Sequence, residues 1–166
     1  MEKKKPKVKS EKAVFGAGCF WNTEEAFRTV KGVIKTTVGY MGGDSKKYPD
    51  PTYEQVSSDR TGFIEVCEIV FNPKDIPYGK ILEIFWKIHN PTEWNRQGPD
   101  FGSQYKSAIF YYDPKQKAEA EKSMTKEQKK YRKKIVTEIR KVETFYRAED
   151  YHQNYLMKRG LKTCRI

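Results

Sequence analysis

A cysteine lies where a short apolar strand is predicted to pass into a helix, within residues 16–21, GAGCFW. At the first turn of a helix, unpaired backbone N–H groups and the positive end of the helix dipole stabilise a thiolate. Thiols in such places have a pKa of about 3.5–7.5 instead of about 8.5, and the thiolate is the nucleophile. The pattern predicts a reactive thiol at Cys19, with a buried structural cysteine as the alternative.

The remaining candidates for thiol chemistry are Cys67, Cys164 and the two histidines, His89 and His152. The three cysteines form no CxxC pair, and together with two histidines they offer few ligands for zinc, so we expect no metal. A cysteine protease needs a histidine base, and neither histidine lies in a protease context. A cysteine phosphatase needs an arginine soon after the nucleophile, whereas the first one here is Arg28. A neutral, partly apolar substrate fits better.

Length and composition indicate one folded domain. The chain has 166 residues, of which 14% are aromatic, and this aromatic share argues against disorder. No apolar run approaches the roughly 18 residues of a membrane span, and none follows the basic N-terminus as a secretory signal would. We therefore expect a cytoplasmic protein with no membrane partner.

The net charge of +11 is carried by residues 1–12 and 115–141, and the rest of the chain is neutral. Such basic runs also occur in nucleic-acid-binding modules, which are the alternative class of function. The second run lacks regularly interleaved aromatics and contains Glu–Lys pairs at helical spacing, as in Glu119–Lys122. We therefore interpret the charge as a solvated tail and helix face, with no nucleic-acid partner.

The hydrophobic pattern predicts alternating strands and helices. Strands are expected at 13–17, 33–40, 62–72, 106–112 and 135–145, and helices at 20–31, 78–89, 114–134 and 148–157. The expected fold is α+β: a two-layer α/β sandwich whose mixed sheet packs against helices, with a ferredoxin-like core. We expect a basic N-terminal tail (1–12), a single catalytic domain (13–157) and a C-terminal tail (158–166). The polar loops at 41–53 and 90–105 are long, which is typical of a functional site.

Seven short motifs follow one another between about residue 13 and residue 156. They are GCFW (18–21), GYMGG (39–43), PTY (51–53), TGFIE (61–65), HNPT (89–92), NRQGPDFGSQYKSAI (95–109) and YHQNYL (151–156). In this order they resemble the A-type peptide methionine sulfoxide reductases. The resemblance implies thiol-dependent reduction of the S epimer of methionine sulfoxide, free or in proteins, and hence repair of oxidised proteins. It implies no metal or organic cofactor.

The resemblance also implies a role for each matching residue. These residues are the nucleophile Cys19, the acid Glu65, the oxygen-binding hydroxyls of Tyr53 and Tyr105, the polar residue Asp100, and the apolar wall of Phe20 and Trp21. A sulfoxide sulfur is a poor electrophile until its oxygen is protonated, and a buried carboxyl kept neutral supplies that proton. A lone carboxylate in an apolar strand is costly unless it is used, which favours a functional Glu65 independently.

Some of these residues keep alternative interpretations. Tyr53 and Tyr105 are otherwise ordinary loop aromatics. We interpret His89 and His152 as structural hydrogen-bonding residues. The chain departs from the usual motif residues at four positions, and none removes a proposed catalytic group: Asn22, Phe63, Asn90 and Lys106.

The tail GLKTCRI carries a single cysteine, Cys164. We expect Cys164 to resolve the Cys19 sulfenic acid as a disulfide, which thioredoxin or dithiothreitol then reduces. Cys67 is the competing candidate because it shares a strand face with Glu65 by the period of two. No repeated apolar surface stands out, so a monomer is expected.

Overall fold

The computed structural model describes residues 9–162. The strands are β1 (Glu11–Ala17), β2 (Val33–Met41), β3 (Ile64–Phe71), β4 (Arg96–Gln97), β5 (Asp100–Phe101), β6 (Ser107–Tyr111), β7 (Glu138–Lys141) and β8 (Tyr146–Arg147). The helices are α1 (Phe20–Arg28), α2 (Tyr53–Ser57), α3 (Tyr78–Lys87), α4 (Pro114–Gln128) and α5 (Tyr155–Lys158). Single 3-10 turns lie at Ser103–Tyr105 and Asp150–His152.

Six strands form one mixed sheet in the order β7-β6-β1-β3-β2-β8, and β4 pairs with β5 as a separate hairpin. The four inner strands are antiparallel to one another, β8 pairs antiparallel with β2, and β7 adds to β6 in parallel. Helix α1 connects β1 to β2, and α3 lies between β3 and β6. This order and connectivity are those of a ferredoxin-like core, so the expected fold class is confirmed.

The central strands are buried on both faces, which explains their nearly continuous apolar sequence. On one face, alternate residues such as Phe15, Tyr40 and Ile69 pack beneath the helices. On the other face, Val66 and Phe110 belong to a second cluster, against which the chain around residues 142–145 packs. Both sides of β3 are therefore shielded, including the side that carries Glu65.

The structure corrects three predicted elements near the C-terminus. The helix expected at 148–157 is replaced by the 3-10 turn Asp150–His152 and the short α5 (Tyr155–Lys158). Helix α4 ends at Gln128, because the side-chain amide of Gln128 accepts from Ile135 N–H at 2.8 Å and donates to Lys133 O at 2.9 Å, which folds the chain back. Of the strand expected at 135–145 only β7 (Glu138–Lys141) forms, and β8 follows at the opposite edge of the sheet. The segment between them crosses the second face instead of extending β7.

The two long polar loops contain short elements that the pattern did not predict. Helix α2 follows the loop at 41–53, and its N-terminus has a complete capping box between Thr52 and Gln55. The loop at 90–105 folds into the β4–β5 hairpin and a 3-10 turn. Within residues 9–162, no helix has both the length and the apolar character that a membrane crossing requires.

Candidate active site

Cys19 lies at the N-cap position of α1, directly after central strand β1. Its carbonyl oxygen accepts from the backbone N–H groups of Asn22 and Thr23 at 3.2 and 3.3 Å, so the helix starts at this residue. Gly18, with φ of +88°, makes the turn from strand to helix. The partly exposed thiol therefore lies at the positive end of a helix, as the sequence predicted.

Glu65 lies on β3, opposite Tyr40 of β2, and is only 1% exposed. Its Oε1 accepts from the backbone N–H of Phe20 at 3.2 Å. That N–H belongs to the first residue of α1, where backbone donors have no partner within the helix. The hydrogen bond links the buried carboxyl group to the residue that follows the cysteine.

Tyr53 and Tyr105 come from different loops and face the same charged groups. Burial, and then the Glu65 carboxylate, raise the pKa of the Tyr53 hydroxyl. Burial and Glu65 also raise the pKa of Tyr105, with smaller contributions from Tyr53, Asp100 and Cys19. Both phenols therefore stay protonated at neutral pH and can donate hydrogen bonds to a polar oxygen.

Asp100 lies on the β4–β5 hairpin, whose inner face borders the turn before α1. Asp100 pairs with Gln97 across the hairpin, and a Cβ atom on Gly18 would lie 2.7 Å from Gln97 Cβ. Burial raises the pKa of the Asp100 carboxyl. The close approach of Gln97 to Gly18 fixes the hairpin against the cysteine turn.

Phe20 and Trp21 form an aromatic side to the site together with His152. The indole Nε1–H of Trp21 donates to His152 Nδ1 at 2.9 Å, and the imidazole lies 4.5 Å from the Tyr53 ring between centroids. Phe20 is buried, with its ring 5.1 Å from the imidazole. Burial lowers the pKa of His152, so the ring is neutral and accepts at Nδ1.

The structure thus brings together residues that are far apart in sequence: a thiol at a helix N-cap position, a buried carboxyl, two protonated phenols and an aromatic wall. The model of the peptide methionine sulfoxide reductase family matches residues 11–166. The chain belongs to this family.

Relatives in distant organisms agree with this assignment. The chain is 55% identical to the peptide methionine sulfoxide reductase MsrA of Methanococcus maripaludis, over 91% of this chain and 94% of that protein. It is 51% identical to the MsrA of Geobacter sulfurreducens, over 93% of this chain and 95% of that protein.

Solved structures are also similar. The reduced form of Mxr1 from Saccharomyces cerevisiae superposes with a TM-score of 0.88 at 36% identity, covering 95% of this chain and 90% of that one. The same yeast protein has been solved in complex with Trx2; that chain gives a TM-score of 0.63 at 24% identity, with 93% of this chain and 90% of that chain covered.

The two candidate resolving cysteines of this reductase lie in different places. Cys67 is fully buried in β3, where its residue pairs with Phe15 and Val38 of the flanking strands. Burial raises the pKa of the Cys67 thiol well above its ordinary value. Cys164 lies outside the described residues.

The histidines make the structural hydrogen bonds expected of them. His89 Nδ1 contacts Phe85 O at 2.7 Å, and its Nε2 contacts Ser107 Oγ at 2.7 Å. Since a carbonyl oxygen only accepts, Nδ1 carries the proton. Across residues 9–162, no group of three or more metal-binding side chains comes together.

Sequence reasoning missed two supports of this site. Glu149 accepts from Tyr40 Oη at 3.0 Å and from Tyr53 N–H at 3.2 Å, so it fixes the start of α2. Tyr155 stacks on Trp21 with 3.7 Å between ring centroids. Both lie beside or within the YHQNYL motif, which was the available signal, but their partners are more than 90 residues away in sequence.

Proposed function

We propose that the chain reduces the S epimer of methionine sulfoxide, free and in proteins, with Cys19 as nucleophile and Glu65 as acid. The observation that carries this proposal is the hydrogen bond of 3.2 Å from Phe20 N–H to the Glu65 carboxyl. It holds the buried Glu65 carboxyl beside the turn that bears the Cys19 thiol. Family membership supports the same reaction.

In the proposed chemistry, the Cys19 sulfur attacks the sulfoxide sulfur while Glu65 protonates the sulfoxide oxygen. The phenols of Tyr53 and Tyr105 donate hydrogen bonds to that oxygen as negative charge develops on it. The oxygen then forms a bond to the Cys19 sulfur while the substrate's S–O bond and the transient S–S bond both break, so methionine leaves and Cys19 becomes a sulfenic acid. Cys19 is thereby oxidised by two electrons and the sulfoxide is reduced by two.

The aromatic side of the site fits the apolar part of this substrate. Phe20 and Trp21 would contact the S-methyl group, and the hydrogen bond from Trp21 to His152 fixes the plane of the indole. Asp100 would act as a further polar residue near Tyr105. The proposed reaction needs no metal or organic cofactor.

We assign regeneration of Cys19 to Cys164. Its thiol condenses with the sulfenic acid to form a disulfide and water, and a dithiol such as thioredoxin then reduces the disulfide. The complex of yeast Mxr1 with Trx2 supports thioredoxin as the reductant. We further propose a monomeric, cytoplasmic enzyme.

The first test measures dithiothreitol-driven reduction of the separated S and R epimers. We expect turnover of the S epimer alone, and its loss in Cys19→Ser. If folded, reduced protein turns over neither epimer, the proposed activity is wrong and a binding role for the basic surface becomes the better hypothesis.

A second test identifies the resolving thiol. After one turnover without reductant, Cys164→Ser should accumulate the sulfenic acid, whereas Cys67→Ser should form the disulfide as the wild type does. Mass spectrometry after trapping with dimedone distinguishes these states. Loss of the disulfide in Cys67→Ser, but not in Cys164→Ser, would assign the role to Cys67.

A further inference from the structure

The outer face of the β4–β5 hairpin exposes aromatic side chains beside the candidate site. Phe101 is 66% exposed, and Trp94, two residues before the hairpin, is 55% exposed. Each ring carries a cation: the Arg96 guanidinium lies 4.2 Å from the Phe101 centroid and Lys106 Nζ lies 4.9 Å from that of Trp94. Exposed aromatics paired with arginine are typical of binding surfaces.

This outer face is directly continuous with the site. Side chains alternate between the two faces of a strand, so Gln97 and Asp100 share one face and Arg96 and Phe101 share the other. The inner face contacts the Gly18 turn through Gln97. A polypeptide whose side chain enters the site therefore passes close to the hairpin.

The hairpin is held in place by hydrogen bonds that do not involve the exposed rings. Asn90 N–H donates to Gln97 Oε1 at 2.7 Å, and Gln97 Nε2 donates back to Asn90 O at 2.9 Å. Gly98 N–H donates to Glu93 Oε2 at 2.8 Å. The backbone is fixed without Phe101, so its ring is presented in a preorganised position, which lowers the entropy cost of binding.

Charged groups of both signs lie at the hairpin, including Asp59, which accepts from Ser103 N–H at 2.8 Å, and the cations without a carboxylate partner among residues 9–162 lie at 132–134. Glu93 lies 3.7 Å from Arg96, and Glu138 lies 3.6 Å from Lys106, so those two cations are partly compensated. The neighbouring exposed segment at 132–134, RKK, is attached to the same loop by the hydrogen bond from Val136 N–H to Pro91 O, at 2.8 Å. None of the ion pairs formed within residues 9–162 involves these three cations.

We propose that the outer face of the hairpin, with residues 132–134, binds the polypeptide that flanks an oxidised methionine and favours flanks that carry acidic and apolar residues. Apolar side chains would pack on Phe101 and Trp94, and carboxylates would approach the cations. This inference rests on the proposed function and adds a substrate class to it. A capped single amino acid has no flanks, so it cannot use this surface.

The test compares three substrates of S configuration with dithiothreitol as the reductant: N-acetyl methionine sulfoxide methylamide, a peptide with Asp and Phe around the sulfoxide, and the same peptide with Lys in place of Asp. We expect kcat/KM to be about two- to fivefold higher for the acidic peptide than for the lysine peptide, the range of an exposed ion pair. Added salt should reduce this preference.

Two variants separate the apolar and the charged contributions. Phe101→Ala should lower kcat/KM for both peptides about five- to tenfold, mainly through KM, and leave the capped amino acid within twofold. The double variant Lys133→Gln, Lys134→Gln should remove the preference for the acidic peptide. The matched controls lie elsewhere on the surface: Ile34→Ala for an exposed apolar residue, and Lys115→Gln with Lys117→Gln for the charge.

A binding measurement accompanies the kinetics. Fluorescence anisotropy of the labelled acidic peptide on Cys19→Ser should show five- to tenfold weaker binding when Phe101→Ala is added. Undiminished binding, or equal losses of kcat/KM for the capped amino acid, would overturn the proposal. The proposal would also be overturned if Phe101→Ala affected only thioredoxin-driven turnover, because the surface would then bind the reductant. It would equally be overturned if Phe101→Ala dissociated a dimer, because the surface would then bind a second copy of the chain.

The proposed function can fail separately. If wild-type protein turns over none of the three substrates, the reductase assignment fails, whereas the anisotropy measurement still decides whether the hairpin binds peptides.

Discussion

The Glu65 side chain occupies a position where an apolar residue would cost less. It lies beneath the helices, on the face of β3 that also buries Cys67 and Ile69. Burying a carboxyl group there requires polar partners, and the N–H of Phe20 supplies one. The arrangement is explained if the carboxyl acts as the acid of the reaction.

Glu65→Gln should lower kcat for methionine sulfoxide about 100-fold or more. The amide still accepts from Phe20 N–H, but it is too weak an acid to transfer a proton, a contribution typically worth 10²–10⁴ in rate. Dithiothreitol-driven turnover at saturating substrate measures the effect.

The control for this variant is the reactivity of the thiol. Alkylation of Cys19 by iodoacetamide should change only a few-fold, since the cysteine turn is retained. A kcat within tenfold of the wild type would mean that the sulfoxide oxygen takes its proton from another group.

The motifs named the proposed reacting groups, and contacts between distant segments form their surroundings. The resemblance named Cys19, Glu65, Tyr53 and Tyr105, and the structure places these side chains within electrostatic reach of one another. The bond from Trp21 to a histidine 131 residues later was not predictable, because no local pattern encodes it.

At the scale of elements, the turn between β1 and α1 depends on a glycine for two reasons. Gly18 has φ of +88°, and an added Cβ atom would lie 2.7 Å from Gln97 Cβ. By contrast, a Cβ atom added to Gly79, in the first turn of α3, would have no heavy atom within 4 Å, so Gly79 offers a matched control.

Gly18→Ala should lower the melting temperature by about 4–8 °C, because the left-handed backbone costs roughly 1–2 kcal/mol and the hairpin must also move. Turnover should fall at least tenfold, since the displaced hairpin carries Asp100. Gly79→Ala should raise the melting temperature by about 1–3 °C, because alanine is the better helix former. Calorimetry and dithiothreitol-driven assays measure both variants, and equal effects in the two would refute the special role of Gly18.

The elements predicted well are those in which the spacing of apolar residues sets both the type of element and the face that packs in the core. Strands β1, β2 and β3 and helices α1 and α3 appear within a few residues of their expected bounds. Helix α4 ended early because a side-chain amide, Gln128, competes for backbone groups beyond the helix. The strand expected at 135–145 ended at Lys141 because Val142 and Phe145 cover the second face of the sheet, which is a tertiary requirement.

The stability of the whole molecule depends on pH through groups whose pKa is lower in the folded chain than in the unfolded chain. Burial lowers the pKa of His89 to about 4, more than its hydrogen bond to Phe85 raises it. In the unfolded chain a histidine has a pKa of about 6.5. Between these values the unfolded chain binds a proton that the folded chain does not, so the free energy of unfolding falls as the pH falls.

The full shift corresponds to about 3 kcal/mol, lost between about pH 6.5 and about pH 4. Urea denaturation across this window measures the slope of unfolding free energy against pH. His89→Gln should be less stable than the wild type at pH 7, because the bonds to Phe85 and Ser107 are weakened. The free energy of unfolding of this variant should change less steeply with pH, because unfolding takes up as much as one proton fewer than in the wild type.

Other buried groups act in the opposite direction, so the wild-type profile alone does not isolate His89. Burial raises the pKa of Glu24 and of Asp100, so the folded chain holds their protons to higher pH and gains stability as the pH falls. The wild type and His89→Gln both keep Glu24 and Asp100. Subtracting one profile of unfolding free energy against pH from the other therefore removes the contribution of these two carboxyls. Parallel profiles would mean that His89 takes up its proton in the folded chain as readily as in the unfolded one, contrary to its burial.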